Sequence, residues 1–179
     1  CKNIQGALAQ LPEQTLLHLK EVNLSDSDLN AADLVNLLSI APNIKFLNLS
    51  DCKKIQGALA QLSGQELLHL KEVNLSDSAI DVTALAQLLS IAPNMETLSL
   101  KDCYKIQGAL AWLPEQTLSQ LKEVDLSDSA IDAVDLERLL SIAPNIESLG
   151  LSGCKNIQGA LAQLPKQVLL HLKKVKLSY

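Results

Sequence analysis

Apolar residues recur along this chain in a short frame that is itself repeated. Leu19-x-x-Val22-x-Leu24 is followed by Ile44-x-x-Leu47-x-Leu49 and then by Leu70-x-x-Val73-x-Leu75. The frame continues from Met95, Leu121, Ile146 and Leu172, at spacings of 25 and 26 residues in turn (19 to 44, 44 to 70). Cys1, Cys52, Cys103 and Cys154 mark the double period of 51. A period of this size is the signature of a solenoid, in which each unit buries its apolar side against the next.

Within the frame, apolar and polar positions alternate, which predicts a strand of about four residues. Val22 and Leu24 face inward, while Glu21, Asn23 and Ser25 face out. Leu29, or Ile80 and Ile131 in later copies, turns the chain back over the core. A helix then runs from about Ala31 to Ala41, with Leu34, Leu37, Leu38 and Ala41 as its apolar stripe. Asn30, Asp81 and Asp132 are suited to cap the three copies of this helix. Pro42-Asn43, Pro93-Asn94 and Pro144-Asn145 end it. The second kind of unit has an extra residue before Ile55, and Gly6 and Pro12 interrupt its helical stretch in the first copy. Two short helical turns are expected there. The prediction is an α/β solenoid, a horseshoe with seven parallel strands on the concave side and helices on the convex side. It reads as one array over 1–179, with a partial unit 1–18, six units 19–171 and a partial unit 172–179. Neither end carries a polar capping pattern, so the chain is expected to be a segment of a longer protein.

Composition fits this picture. Of 179 residues 47% are apolar and only 2% aromatic, so Leu, Ile, Val and Ala must build the core. The net charge of −5 argues against nucleic acid as a partner, which needs a basic footprint. No apolar run approaches the roughly 20 residues that cross a bilayer.

The frame Leu47-x-Leu49-x-x-Cys52-x-x-Ile55 resembles the leucine-rich-repeat superfamily, close to its cysteine-containing and ribonuclease-inhibitor-like branches. The alternation of two unit types is also similar to ribonuclease inhibitor. The near-duplicate wording of the units resembles leucine-rich-repeat effectors that intracellular bacteria such as Legionella inject into host cells. The resemblance implies a scaffold that binds proteins on its concave face.

The cysteines occupy one position in alternate units, roughly 10 Å apart at about 4.8 Å per strand. A disulfide needs Cα atoms within about 7 Å. They are therefore expected to be free, buried thiols, which suits a cytoplasmic setting. Ser27, Ser78 and Ser129 fill the same position in the intervening units, where a hydroxyl can bond to backbone. No His stands at ligand spacing to a thiol, so no metal and no cofactor are expected. His18, His69 and His171 recur at one place before a strand, and a catalytic His is not normally copied along a scaffold. Asp26, Asp51, Asp77, Asp102 and Asp128 form a ladder at the strand exits. Each is expected to serve its local turn, with Lys53, Lys54, Lys105 and Lys155 nearby. Lys20, Lys45, Lys71, Lys122 and Lys173 form a solvated rim at the strand entrances. No Gly-rich phosphate loop, small-molecule site or catalytic motif is present.

Candidate binding residues emerge where the copies disagree. Outward strand positions run Glu21, Phe46, Glu72, Thr97, Glu123, Ser148, Lys174 in one row, and Asn23, Asn48, Asn74, Ser99, Asp125, Gly150, Lys176 in the next. Lys101 replaces a serine, and Phe46, Tyr104 and Trp112 replace polar residues. Aromatic anchors dominate protein interfaces. The partner-binding set is thus Phe46, Asn48, Glu72, Asn74, Thr97, Ser99, Lys101, Tyr104, Glu123, Asp125, Lys174 and Lys176. Seven strands give a surface roughly 30 Å long, enough for a standard interface of about 800 Å² per partner. The function expected is a non-enzymatic module that binds a partner protein, as an inhibitor of an enzyme or as an effector. The alternative is the substrate-recognition part of a larger enzyme such as a ubiquitin ligase.

Overall fold

The computed structural model describes residues 16–58, 61–62, 66–111, 113, 118–157, 159 and 170–178. Seven strands form one open parallel sheet in chain order: β1 (Glu21–Asn23), β2 (Phe46–Asn48), β3 (Glu72–Asn74), β4 (Thr97–Ser99), β5 (Glu123–Asp125), β6 (Ser148–Gly150) and β7 (Lys174–Lys176). The register is unbroken, so Val22, Leu47, Val73, Leu98, Val124, Leu149 and Val175 stand in one inward row. Each strand has three residues rather than four, but the ladder reaches past them. Lys45 donates its N–H to Lys20 O at 2.7 Å and Asp26 donates to Ser50 O at 2.9 Å.

Helices α1 (Ala31–Ile40), α2 (Val82–Ile91) and α3 (Ala133–Ile142) pack behind the sheet. Asn30 and Asp81 accept the N–H of Asp33 and Ala84, each at 2.9 Å, as the sequence predicts for N-caps. Asp132 goes further: it accepts from Val134 and Asp135, while Asp135 reaches back to the Asp132 N–H in a capping box. Leu34, Leu37 and Leu38, with Leu85, Leu88 and Leu89 behind the next rungs, meet the strand side chains in one continuous core. Ala41, Ala92 and Ala143 end the helices, each donating to the carbonyl four residues back. The following proline cannot continue the ladder.

The second kind of unit winds in short turns, in keeping with its interrupted helical stretch. Its described residues form short turns bonded three residues back, with Ala58 N–H to Ile55 O at 3.0 Å and Gln61 N–H to Ala58 O at 3.1 Å. Gly57 and Gly108 take φ of 70° and 80°, which lets the chain turn sharply where a helix would otherwise propagate. The first copy, with Gly6 and Pro12, lies outside the described residues.

Polar brackets tie each rung to the one before. Asn43, Asn94 and Asn145 donate their side-chain N–H to the carbonyls of Leu17, Leu68 and Ser119 at 2.8, 3.0 and 2.7 Å. The asparagine of each Pro-Asn pair is thus a strut between units as well as part of a stop signal. Cys52, Cys103 and Cys154 are buried free thiols that donate to the carbonyls of Leu24, Leu75 and Leu126 at 3.1, 3.2 and 2.9 Å. The backbone contact expected of the serine hydroxyls at this position is therefore made by the thiols; Ser27 Oγ instead lies 3.5 Å from Cys52 Sγ. Cys1 lies outside the described residues.

Candidate functional site

Two rows of side chains project from the open side of the sheet. The row nearer the strand entrances is Glu21, Phe46, Glu72, Thr97, Glu123, Ser148 and Lys174, each beside the next by register. Glu21, Glu72, Glu123 and Lys174 are exposed, and Phe46, Thr97 and Ser148 are half-buried between them. Six strand intervals of about 4.8 Å make the row roughly 30 Å long.

The second row is Asn23, Asn48, Asn74, Ser99, Asp125, Gly150 and Lys176, and much of it serves the fold. Asn23, Asn48, Asn74 and Asp125 each accept, through Oδ1, the N–H two residues on, at 3.0–3.1 Å. These Asx turns bend the chain out of the strand. Asn48, Asn74 and Asp125 therefore have a structural task that variation between copies did not reveal; an Asn or Asp two residues before a strand-exit Ser was the available signal. Ser99 bonds its hydroxyl to that of Ser76 at 2.8 Å. At Gly150 an added Cβ would stand 2.4 Å from Asp125 Oδ1. The missing side chain makes room for that carboxylate and opens a depression of about 210 Å³ lined by Thr97, Ser99, Glu123, Asp125, Ser148 and Lys176.

Beyond the strands, Asp26, Asp51, Asp77, Asp102 and Asp128 all adopt positive φ, between 51° and 60°, and Gly153 takes 71° at the equivalent place. This left-handed turn admits Gly freely and Asp better than most residues. The ladder of carboxylates is thus tied to backbone geometry, and the Asp/Gly exchange at one position was its trace in the sequence. Lys53 pairs with Asp77 and lies 3.8 Å from Asp51. The Lys53 ammonium holds the Asp77 carboxyl below its usual range, while the hydrogen bond with Asp77 pushes Asp51 above it. Lys54 pairs with Asp28 at 3.0 Å. Among the described residues Lys105 and Lys155 are in no ion pair.

Tyr104 belongs to this exit rim and not to the face of the sheet. Its hydroxyl donates to Asp102 Oδ1 at 2.9 Å, and it lines a separate depression with Asp128, Gly153 and Lys155. Phe46 lies at the entrance end of β2, at the opposite end of the strands from the exit rim. Lys101 also leaves the sheet, 3.8 Å from Asp102. Trp112 lies outside the described residues.

At the entrances, Glu96 is held between Lys71 at 2.9 Å and Lys122 at 3.2 Å, and Glu147 pairs with Lys173 at 2.9 Å. These lysines keep both carboxyls below the usual range. His18, His69 and His171 are exposed. Burial pushes the Cys103 thiol up to about 11, which leaves it a weak nucleophile. Among the described residues no three His, Cys, Asp or Glu side chains are placed to share a metal ion, and no helix is long and apolar enough to cross a membrane.

No protein-family model matches the chain. It is similar to F-box/LRR-repeat protein 4 of Bos taurus, 29% identical over 147 residues that cover 78% of this chain and 23% of that protein. A BTB/POZ domain-containing protein of Arabidopsis thaliana is 30% identical over 95 residues, 53% of this chain and 9% of that one. F-box/LRR-repeat protein 9 of Arabidopsis thaliana is 26% identical over 146 residues, 78% of this chain and 57% of that protein. The chain therefore spans between 9% and 57% of the length of these curated relatives. Among solved structures, an internalin from Listeria monocytogenes aligns over 93% of this chain and 57% of its own, with a TM-score of 0.44 and 18% identity. The Leu-x-x-Leu-x-Leu frame on successive rungs of one parallel sheet gives this chain a leucine-rich-repeat solenoid fold, in keeping with its similarity to F-box/LRR-repeat proteins.

Proposed function

We propose that the chain is a non-enzymatic binding module, and that a partner protein docks on the open, concave side of its sheet. The observation that carries this reading is the contrast between the two sides of one strand row. The inward side is Val or Leu on every rung, buried on the first six, whereas the outward side runs Glu, Phe, Glu, Thr, Glu, Ser, Lys. Packing explains the first series, and nothing in the fold requires the second. Such a module acts by rigid contact, covering its partner's surface as an inhibitor or effector does. Buried reduced thiols suit work in the cytoplasm.

Affinity capture from a cell lysate, read by mass spectrometry, tests the reading with three variants of intact fold. Phe46→Ala removes an anchor, Thr97→Arg wedges the middle of the face, and Glu137→Arg alters the exposed side of α3. A partner held by Phe46 should bind about 2 kcal/mol more weakly without it, and Thr97→Arg should abolish capture. Loss with Glu137→Arg and retention with the other two would place the working surface on the helices.

A further inference from the structure

The entrance row carries a regular charge series. Glu21, Glu72, Glu123 and Lys174 occupy alternate strands, with Phe46, Thr97 and Ser148 between them. Two strand spacings separate neighbours, about 10 Å. Elsewhere on the sheet, glutamates are neutralised: Glu96 and Glu147 are held by Lys71, Lys122 and Lys173. Among the described residues, none of Glu21, Glu72, Glu123 or Lys174 is in an ion pair. Phe46 lies directly between two of the free carboxylates, so its ring is placed to carry the aliphatic stem of a Lys or Arg whose charge reaches Glu21 or Glu72.

We propose that this row reads an extended basic segment of the partner, laid across the strands from β1 to β7, with cationic side chains on three successive turns and an acidic one on the fourth, opposite Lys174. The spacing selects the conformation. A polyproline II segment has three residues per turn and rises about 3.1 Å each, so every third side chain returns to one face about 9.3 Å on. That nearly equals two strand spacings, about 9.6 Å. An α-helix presents every seventh residue at about 10.5 Å and drifts out of step over three intervals. A ligand lying inside a concave sheet follows a shorter arc than the strands, which widens the mismatch for the helix. The segment therefore has Lys or Arg at i, i+3 and i+6 and Asp or Glu at i+9. This inference rests on the concave face being the binding surface.

Fluorescence anisotropy with four labelled peptides tests it. The first is Lys-Pro-Pro-Lys-Pro-Pro-Lys-Pro-Pro-Glu. The second has the same composition with the Glu moved to the second charged position. The third replaces Glu with a fourth Lys, and the fourth is an Ala-rich helix with Lys at seven-residue spacing. The first should bind tightest, and Glu72→Gln should weaken it about three- to tenfold while Glu137→Gln, the same charge change on α3, leaves it unaltered. Lys174→Glu should reverse the preference in favour of the third peptide. Equal binding of the first two with tighter binding of the third, as a net charge of −5 alone would give, overturns the proposal; so does tighter binding of the helix, or indifference to Glu72→Gln. If the peptides fail while Thr97→Arg still abolishes capture of a lysate protein, the charge series is wrong and the binding face stands. If Thr97→Arg leaves capture intact, the reading of the face itself has failed.

Discussion

Asp135 is the most consequential polar residue of the core, and its removal tests how the rungs are joined. It lies at the third position of α3, 2% exposed, and its two oxygens accept the Gly108 N–H at 3.0 and 2.9 Å. It also accepts the Asp132 N–H at a longer 3.4 Å. Asp135→Ala removes one charge-assisted bond, of about 1.5–3 kcal/mol, and the weaker half of a capping box. Against that, truncation relieves the desolvation of a buried carboxylate, the main reason its pKa is raised. The net cost expected is about 1–2 kcal/mol, or roughly 2–8 °C in Tm for a chain of this size. Denaturant unfolding followed by circular dichroism measures it.

The pH dependence has a definite sign. Because folding raises the Asp135 pKa, its proton contributes stability below the ordinary Asp value near 3.8, and that contribution is lost as pH rises through the raised value. Asp135→Ala should therefore cost more at about pH 3.5 than at about pH 7. The converse substitution sharpens the test. Ala84 stands 27 residues after Gly57, as Asp135 stands 27 after Gly108, so Ala84→Asp should be accommodated with less than about 1 kcal/mol lost. A carboxylate without a donor at that buried site would cost several times more. Unchanged or increased stability in Asp135→Ala, or collapse of Ala84→Asp, would refute the clamp.

Two further outcomes follow from the backbone and the thiols. Gly153→Ala places a Cβ at φ 71°, 2.1 Å from Asp128 Oδ1, and should cost about 1–2 kcal/mol in urea unfolding; pairing it with Asp128→Gly, which tolerates the φ of 57° at that position, should recover the steric part and leave the backbone part. A thiol raised from 9.0 to about 11 has about a hundredfold less thiolate at pH 8, so Cys103 should react with iodoacetamide at least that much more slowly in the folded protein than in the denatured one; equal rates would mean that the site opens readily.

The inward half of the structure was legible because burial writes itself into the sequence. Val22, Leu47 and their counterparts alternate with polar residues, Leu34, Leu37 and Leu38 recur at helical spacing, and Asn30, Asp81 and Asp132 stand where helices need an acceptor. What escaped was the polar bonding between rungs. Asn43 to the Leu17 carbonyl, Cys52 to the Leu24 carbonyl and Asp135 to the Gly108 N–H span 26, 28 and 27 residues. Such partners become visible only once the strand register is fixed, since no local pattern links them. The outward face was half legible for a related reason. Variation between copies separated Phe46 and Thr97 from the core, but it also gathered in Asn48, Asn74 and Asp125, whose side chains close Asx turns. It likewise put Tyr104 with Phe46, although the left-handed turn at Asp102 carries Tyr104 off the sheet.

The division of labour within each strand predicts that stability and binding separate cleanly by row. The brackets just named, with the inward Val and Leu row, hold one rung to the next, and none of them uses an entrance-row side chain. Glu72 and Glu123 make no ion pair among the described residues and lie exposed. Replacing either with Gln should shift the urea midpoint by no more than surface substitutions do, about 0.5 kcal/mol, while weakening the patterned basic peptide. Asp135→Ala should do the reverse, because α3 lies behind the sheet and the peptide meets only its front. A Glu72→Gln and Asp135→Ala double variant should then show additive effects, as expected of sites without shared partners. A coupling above about 0.5 kcal/mol between them, measured in either binding or unfolding, would mean that the outward row helps to hold the rungs together, and the separation of scaffold from surface would fail.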